Sequence, residues 1–453
     1  MALILLVVLA VFLFFRWYWK PITIPTATRD HGSFPLPVDA QRRQHRPAYS
    51  DRKLHAQFGN MFTIAESFRT KFISPDRDLN KVHSNTPETL SSLTRGVGIF
   101  LNKIIDEEYI QNIDCLIGSL GRFISRAPAQ EHTAACAVEE THRCALEWTT
   151  KVDVDLFASV SELTHKAAVR ILLGDDFYQS SDELRTLLRA VEEEAGEPWA
   201  SVLPDWLPHP AVRRLRWARE RAADIFTERL MRRDAVAVAG GPIEADRQDY
   251  VTFLLNEDST ASLKHLFPAH YTILMLFSQN GVASTVFWVL ISLLRHPDVM
   301  NAVKRNSRSA ENDSSLLKAC IKETERYYEN MRSSSRLDGG GGGGGGCCPG
   351  PDSWMPGRWL NAENKLVSFD EVCGGGGGGG VASDAQVKPA QGDDKLSAIV
   401  VEQVLTTLLR CYDVSWASPE QPQTVDFEAL DFDRAAPRMK ARHTILVLRI
   451  EHD

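Results

Sequence analysis

Between residues 268 and 295 the chain runs for 28 residues with no acidic side chain and one arginine, the last. As one helix this stretch would span ~42 Å. Pro268 suits a first helical turn, and His296-Pro297 ends the pattern. Apolar on nearly every side, such a helix has to be buried in a core or in a membrane. Ser278, Gln279, Asn280 and Gly281 interrupt it midway, where a bilayer centre would penalise them. The sequence therefore predicts a central buried helix rather than a second transmembrane span.

A buried central helix needs other helices to cover it. From Asp153 to about Arg233 the pattern is strongly helical, with Leu156, Val160, Leu163 and Ala167 at helical spacing and Gly174-Asp175-Asp176 as a stop. Pro204, Pro208 and Pro210 precede an Arg/Glu-rich helix over 211–233, whose alternating charge reads as a solvated face. Helices are also predicted over 314–331 and 395–413, and short strands over 62–64 and 444–450. Two pure glycine runs, 339–346 and 374–380, hold 15 of the 29 glycines. Runs of this kind cannot pack a core and behave as flexible coil.

At 43% hydrophobic and 24% charged, the composition is that of a globular protein. It excludes a collagen-like, fully disordered or many-span membrane chain. The net charge of −8 argues against a nucleic-acid partner.

Residues 2–15 form an unbroken apolar run, followed by Arg16, Trp17, Tyr18, Trp19 and Lys20. Counted to Lys20, the segment reaches ~28 Å as a helix. Its aromatic cluster fits a membrane interface, and its C-terminal positive charge places the body in the cytosol. No basic n-region and no small-x-small site point to a cleaved signal. A transmembrane anchor is expected over 1–20. A proline-rich hinge over 21–50 follows (Pro21, Pro25, Pro35, Pro37), then a body over 51–453.

The eight cysteines show no disulfide framework, which is consistent with a reducing compartment. His132, Cys136, His142 and Cys144 could be weighed as a zinc set. On a helix only the first two share a face and no C-x-x-C occurs, so a bland surface helix is the better reading.

Glu323 and Arg326 stand at i, i+3 and can pair. Downstream lies Trp354-Met355-Pro356-Gly357-Arg358-Trp359, a rarer arrangement. Arg358 could fork onto Glu323, and a buried carboxylate shared by two guanidiniums would lock a loop to a helix.

This pair of motifs resembles the cytochrome P-450 superfamily. So does the order of apolar N-terminus, proline hinge, long central helix ending in Arg295-His296-Pro297, and then these motifs. Lys53-Leu54-His55 with Phe58-Gly59, Asp155-Leu156-Phe157 and Leu172-Leu173-Gly174 agree. The resemblance covers roughly 1–335 and 350–453. It implies a mainly α fold with a small β portion behind an N-terminal membrane anchor helix. It also implies heme, and a bracing triad of Glu323, Arg326 and Arg358.

On the central helix, Asn280-Gly281-Val282-Ala283-Ser284-Thr285 would align over the heme. Gly281 would leave a groove, and Ser284 or Thr285 would supply the hydroxyl. Ala283 stands where an acid usually relays protons. Gln279 and Asn280 would line the active site. This segment is similar to the branch with bile-acid sterol hydroxylases and prostacyclin synthase.

The cysteine loop of that family is not found. Counting back from the helix at Lys395 puts the ligand near Gln391, which has no thiol. Cys373 is the nearest upstream cysteine and is the expected iron ligand. A shifted reading frame around 337–392, a heme-free descendant, and a Cys373 ligand made reachable by the pliable glycine run all stay open.

The expected function is heme-dependent monooxygenation of a lipophilic substrate such as a sterol or fatty acid. A flavoprotein reductase on the same membrane face would donate the electrons. The expected placement is a single-pass endoplasmic reticulum membrane protein with a cytosolic body. The alternatives are peroxide isomerisation, and a membrane-anchored remnant without heme or catalysis.

Overall fold

The computed structural model describes residues 62–66, 69–73, 107–195, 210–238, 248–276, 280–308, 314–332, 353–367, 393–417, 430–431, 438–439 and 444–449. The chain divides into two compact units, 1–86 with 328–346, and 87–327 with 347–453. In the first, β1 (Phe62–Glu66) and β2 (Arg69–Ile73) form an antiparallel hairpin that pairs Phe62 with Ile73 and Glu66 with Arg69.

The second unit is a helical body. In chain order it contains α1 (Glu107–Ile124), α2 (Ala127–Thr149), α3 (Leu156–Leu173), the short α4 (Asp175–Tyr178), α5 (Ser181–Ala195) and α6 (Pro210–Val238). Then come α7 (Tyr250–Asn256), the short α8 (Asp258–Ala261), α9 (Phe267–Leu274), α10 (Asn280–Arg295) and α11 (Pro297–Arg308). The last two are α12 (Ser315–Arg332), which runs on into the first unit's residues, and α13 (Asp393–Cys411). A small sheet of β3 (Val154–Asp155), β7 (Thr444–Arg449) and β4 (Tyr412–Trp416) has β7 in the middle and both pairings antiparallel. A separate pair joins β5 (Leu430–Asp431) to β6 (Arg438–Met439).

Four helices make the centre: α2 packs on α13 and α3, and α10 packs on α3 and α13. Helix α10 is enclosed on all sides, with Val286, Phe287, Val289, Leu290, Ile291 and Leu293 each at most 1% exposed. Each such side chain contributes roughly 1.5–3 kcal/mol by leaving water. Helix α3 is specified at both ends. The Asp155 carboxylate caps its first turn by accepting from the Ala158 amide at 3.0 Å, and Gly174 ends it at φ 90°. Its Leu156, Val160, Leu163 and Ala167 are wholly buried.

Several expectations are corrected. Over 268–295 the described residues form α9 and α10, with a wider π-type turn at Met275 and Leu276, and residues 277–279 lie outside the described part. Each of the two described helices is shorter than the roughly 20 apolar residues a bilayer requires. The long helices α2 and α6 carry many charges. Among the described residues no helix is long and apolar enough to cross a membrane. This corrects the expected transmembrane helix and, with it, the single-pass endoplasmic reticulum placement. The run over 1–20, on which the anchor was expected, lies outside the described residues.

Helix α2 is also more than a surface helix. Ala129, Thr133, Cys136, Ala137, Cys144, Ala145 and Trp148 form a buried face against the core. Cys136 lies beside His132, while the His142 ring faces Tyr412, and no group suited to a metal ion occurs among the described residues.

Candidate functional site

Helix α12 presents Glu323 inward with no exposure to water. A bare buried carboxylate costs several kcal/mol, and this one is offset by donors from three directions. Arg326, one turn on, gives a two-pronged contact: Nε to Oε2 and Nη2 to Oε1, both 2.9 Å. The segment 353–359 approaches from the other side. The Met355 amide donates to Oε1 at 2.8 Å, and the Trp359 indole donates to Oε2 at 2.9 Å. Arg358 Nε stands 3.2 Å from Oε1. Both arginines also donate to the Ser353 carbonyl, at 3.1 and 3.2 Å. The Trp354 indole donates to Thr324 Oγ1 at 3.0 Å and its ring stacks on His296 at 4.7 Å. The structure therefore brings Glu323, Arg326 and Arg358 into one clamp that fixes a loop to a helix. Its chemistry is structural.

A cleft opens where α1, α3, α9, α10 and α13 converge. Leu120, Ile171, Leu274, Val282, Leu396 and Val400 are among its walls. The Thr164 hydroxyl is its polar exception, and it is already committed to the Val160 carbonyl at 3.0 Å. The cavity volume is ≈ 20 Å³, and ≈ 400 Å³ when the solvent-filled mouth is counted.

The residues expected on the central helix lie in the first turns of α10 or outside the described part. Gly281 follows the first residue of α10, and a Cβ placed on it would meet nothing within 4 Å. Val282, next in line, is a cleft wall. Ala283 and Ser284 are buried and Thr285 is half-buried. Asn280 opens α10, but its side chain lies outside the described residues, as does all of Gln279. Cys373 and both glycine runs are also outside them.

Heme, the cofactor the resemblance implies, can be tested against these residues. The apolar walls fit the faces of a macrocycle, although they must part to admit one. Cys373, the expected iron ligand, lies outside the described residues. Burial pushes the thiols of Cys136 up to about 11, and those of Cys144 and Cys320 up to about 12, so these stay protonated. Cys115 and Cys411 are half-buried, within α1 and at the last residue of α13. No cluster of three or more ligating side chains occurs among the described residues, but a heme held by one thiolate needs none.

Reading the sequence missed several features of this region. Leu120, the wall contributed by α1, carries no motif. Neither does the hub at Arg233, a buried guanidinium shared by Asp176, Asp249, Thr252 and the Leu173 carbonyl. Gly174 lies against that hub, where a Cβ would come within 2.8 Å of Asp249.

Residues 125–336 match the family described as Cytochrome P450. The chain is 29% identical to Cytochrome P450 monooxygenase pynD of Aspergillus niger, over 92% of each chain. It is 31% identical to Cytochrome P450 monooxygenase pyvB of Aspergillus violaceofuscus, over 79% of this chain and 76% of the relative. With Cytochrome P450 monooxygenase pytD of Aspergillus terreus it shares 35% identity over 75% and 96%.

Proposed function

The chain belongs to the cytochrome P450 superfamily, and from that premise we propose that it is a heme-dependent monooxygenase of a lipophilic substrate such as a sterol or fatty acid. The observation that carries this reading is the apolar cleft beside the start of α10, whose walls offer a bound molecule almost nothing but hydrocarbon. Bound heme would supply the oxygen chemistry, with a thiolate ligand favouring O–O cleavage.

This chain's own residues would exclude water, orient the substrate and hold a proton. In this reading Val282, Leu396 and Val400 present hydrocarbon to the cofactor or substrate. Gly281 keeps the helix surface open for a small molecule, since no side chain fills that space. The hydroxyls of Ser284 and Thr285 hold a proton near that opening, while Gln279 and Asn280 line the approach. Cys373 would hold the heme iron through its thiolate. Glu323, Arg326 and Arg358 keep the 353–359 loop in place, and a flavoprotein reductase supplies electrons. The body is taken as 51–453, after a proline-rich hinge over 21–50.

One observation favours a second reading, a heme-free remnant without catalysis: burial holds the thiols of Cys136, Cys144 and Cys320 protonated. The reduced, carbon-monoxide difference spectrum of the full chain separates the two. A thiolate-type Soret band that Cys373→Ser abolishes is expected. A wild-type chain that takes up no heme would sink the monooxygenase reading.

A further inference from the structure

Behind the cleft lies a line of buried polar groups that the proposed chemistry does not use. Tyr109 on α1 is fully buried, and its hydroxyl stands 2.9 Å from Nδ1 of His270 on α9. His270 Nε2 is 3.0 Å from the Tyr250 hydroxyl on α7. That hydroxyl is in turn 2.6 Å from Ser119 Oγ and 2.9 Å from the Leu116 carbonyl, both on α1. Ser119 Oγ reaches the same carbonyl at 2.6 Å. All four side chains are at most 2% exposed.

One placement of protons satisfies every atom. Tyr109 donates to Nδ1, and the Nε2 proton is donated to the Tyr250 oxygen. Tyr250 then donates to Ser119 Oγ, and Ser119 donates onward to the Leu116 carbonyl. The opposite tautomer leaves the Tyr109 proton without an acceptor in this set. The line ends on a carbonyl and has no exposed terminus, so it is unsuited to carrying protons through the protein. Its remaining capacity is to hold three helices in register. Burial lowers the His270 pKa to about 3, so the ring stays neutral at ordinary pH.

The register concerns the cleft directly. Leu120 follows Ser119 on α1, and Leu274 stands one turn beyond His270 on α9; both are cleft walls. The ring of Phe123, on the last turn of α1, packs on Tyr250 at 5.3 Å. We propose that Tyr109, His270, Tyr250 and Ser119 form a latch that sets the spacing of α1 from α9, making His270 a positioning residue that limits the size of the substrate admitted. This rests on the monooxygenase reading for the identity of the ligand, but not for the latch itself.

The test uses the full chain in wild type, His270→Phe, His270→Gln and Tyr109→Phe. Gln keeps one donor and one acceptor near the ring-nitrogen positions, whereas Phe removes both. Tyr109→Phe deletes a single hydroxyl, so it serves if His270→Phe does not fold. Amide hydrogen exchange is measured along α1. In the heme-loaded protein, the ratio of dissociation constants for dodecanoic and octadecanoic acid is read from the Soret shift. Exchange in α1 should rise about tenfold in His270→Phe, and by a smaller factor in Tyr109→Phe. The fatty-acid ratio should move with it, and His270→Gln should restore both towards wild type.

Unchanged exchange in the Phe variants overturns the latch. Faster exchange with an unchanged ratio overturns the positioning role and leaves a structural contact alone. A wild type that binds neither heme nor fatty acid sinks the monooxygenase reading, and the substrate role of His270 with it, while the exchange data still decide the latch.

Discussion

Glu323 is a carboxylate shut off from water, with donors from Arg326, Arg358, Met355 and Trp359 around it. Glu323→Gln removes the charge that both guanidiniums face and leaves a carboxamide NH₂ pointing at donors. Breaking a buried pair in this way costs about 3–5 kcal/mol. Denaturant unfolding should show that loss, and a change below about 1 kcal/mol would mean the clamp is dispensable. Tyr271 is the opposite case: it is buried, and its hydroxyl has no hydrogen-bond partner among the described residues. Tyr271→Phe should be neutral or stabilising by up to about 1 kcal/mol, because it removes an unpaired polar atom without changing shape. His270 adds a pH dependence of definite sign. Its folded pKa of about 3 lies below the unfolded value of 6.5, so below 6.5 the unfolded chain binds the extra proton. Its contribution is complete above pH 6.5 and declines as the pH falls towards 3, by up to about 1.4 kcal/mol per unit. Unfolding at pH 7 and pH 5 should therefore differ more in wild type than in His270→Gln. Equal differences would show that His270 does not titrate on unfolding.

At the scale of elements, helical periodicity was readable wherever one face is buried and the other wet. Leu156, Val160, Leu163 and Ala167 predict the inner face of α3, and Gly174 predicts its end. Periodicity cannot place a helix end inside a stretch that is apolar on all sides, and the described parts of that stretch are α9 and α10. The cleft was unreadable for another reason: its walls come from five helices, and contacts between Leu120, Ile171, Val282 and Leu396 leave no mark on sequence spacing. The signals for the latch were a lone His270 in an apolar run and an isolated Tyr109, both easily taken for ordinary core residues. The Gly174 corner offers a test at this scale. At φ 90°, a Cβ on this residue would stand 2.8 Å from Asp249 Oδ2, so Gly174→Ala adds backbone strain and a clash with the Arg233 hub. A loss of about 2 kcal/mol or more is expected by thermal or denaturant unfolding. A loss under about 0.5 kcal/mol would show that α3, α4 and α7 can shift to accept a methyl group.

At the scale of the whole molecule, the family was legible from two short motifs because they answer to one buried cluster. The pairing of E-x-x-R with the aromatic-Pro-Arg-aromatic segment is a statement about Glu323 and its donors, and such a cluster tolerates few substitutions. The membrane placement was not legible in the same way, since an apolar run records composition rather than contacts. The clamp and the cleft also differ in what they need. The clamp is complete within the described residues, whereas the narrow cleft has apolar walls with nothing large between them. A group that fills such a space binds the folded chain and not the unfolded one, so it must stabilise the fold by mass action. Hemin added at about 100 times its dissociation constant should contribute about 2.7 kcal/mol, seen as a rise in Tm. In the Cys373→Ser chain most of that rise should vanish at the same hemin concentration, because the iron loses its proposed ligand while the apolar walls remain. A wild-type chain whose Tm ignores hemin would place the protein with the heme-free reading. An equal rise in both chains would assign the binding to the walls alone and exclude Cys373 as the ligand.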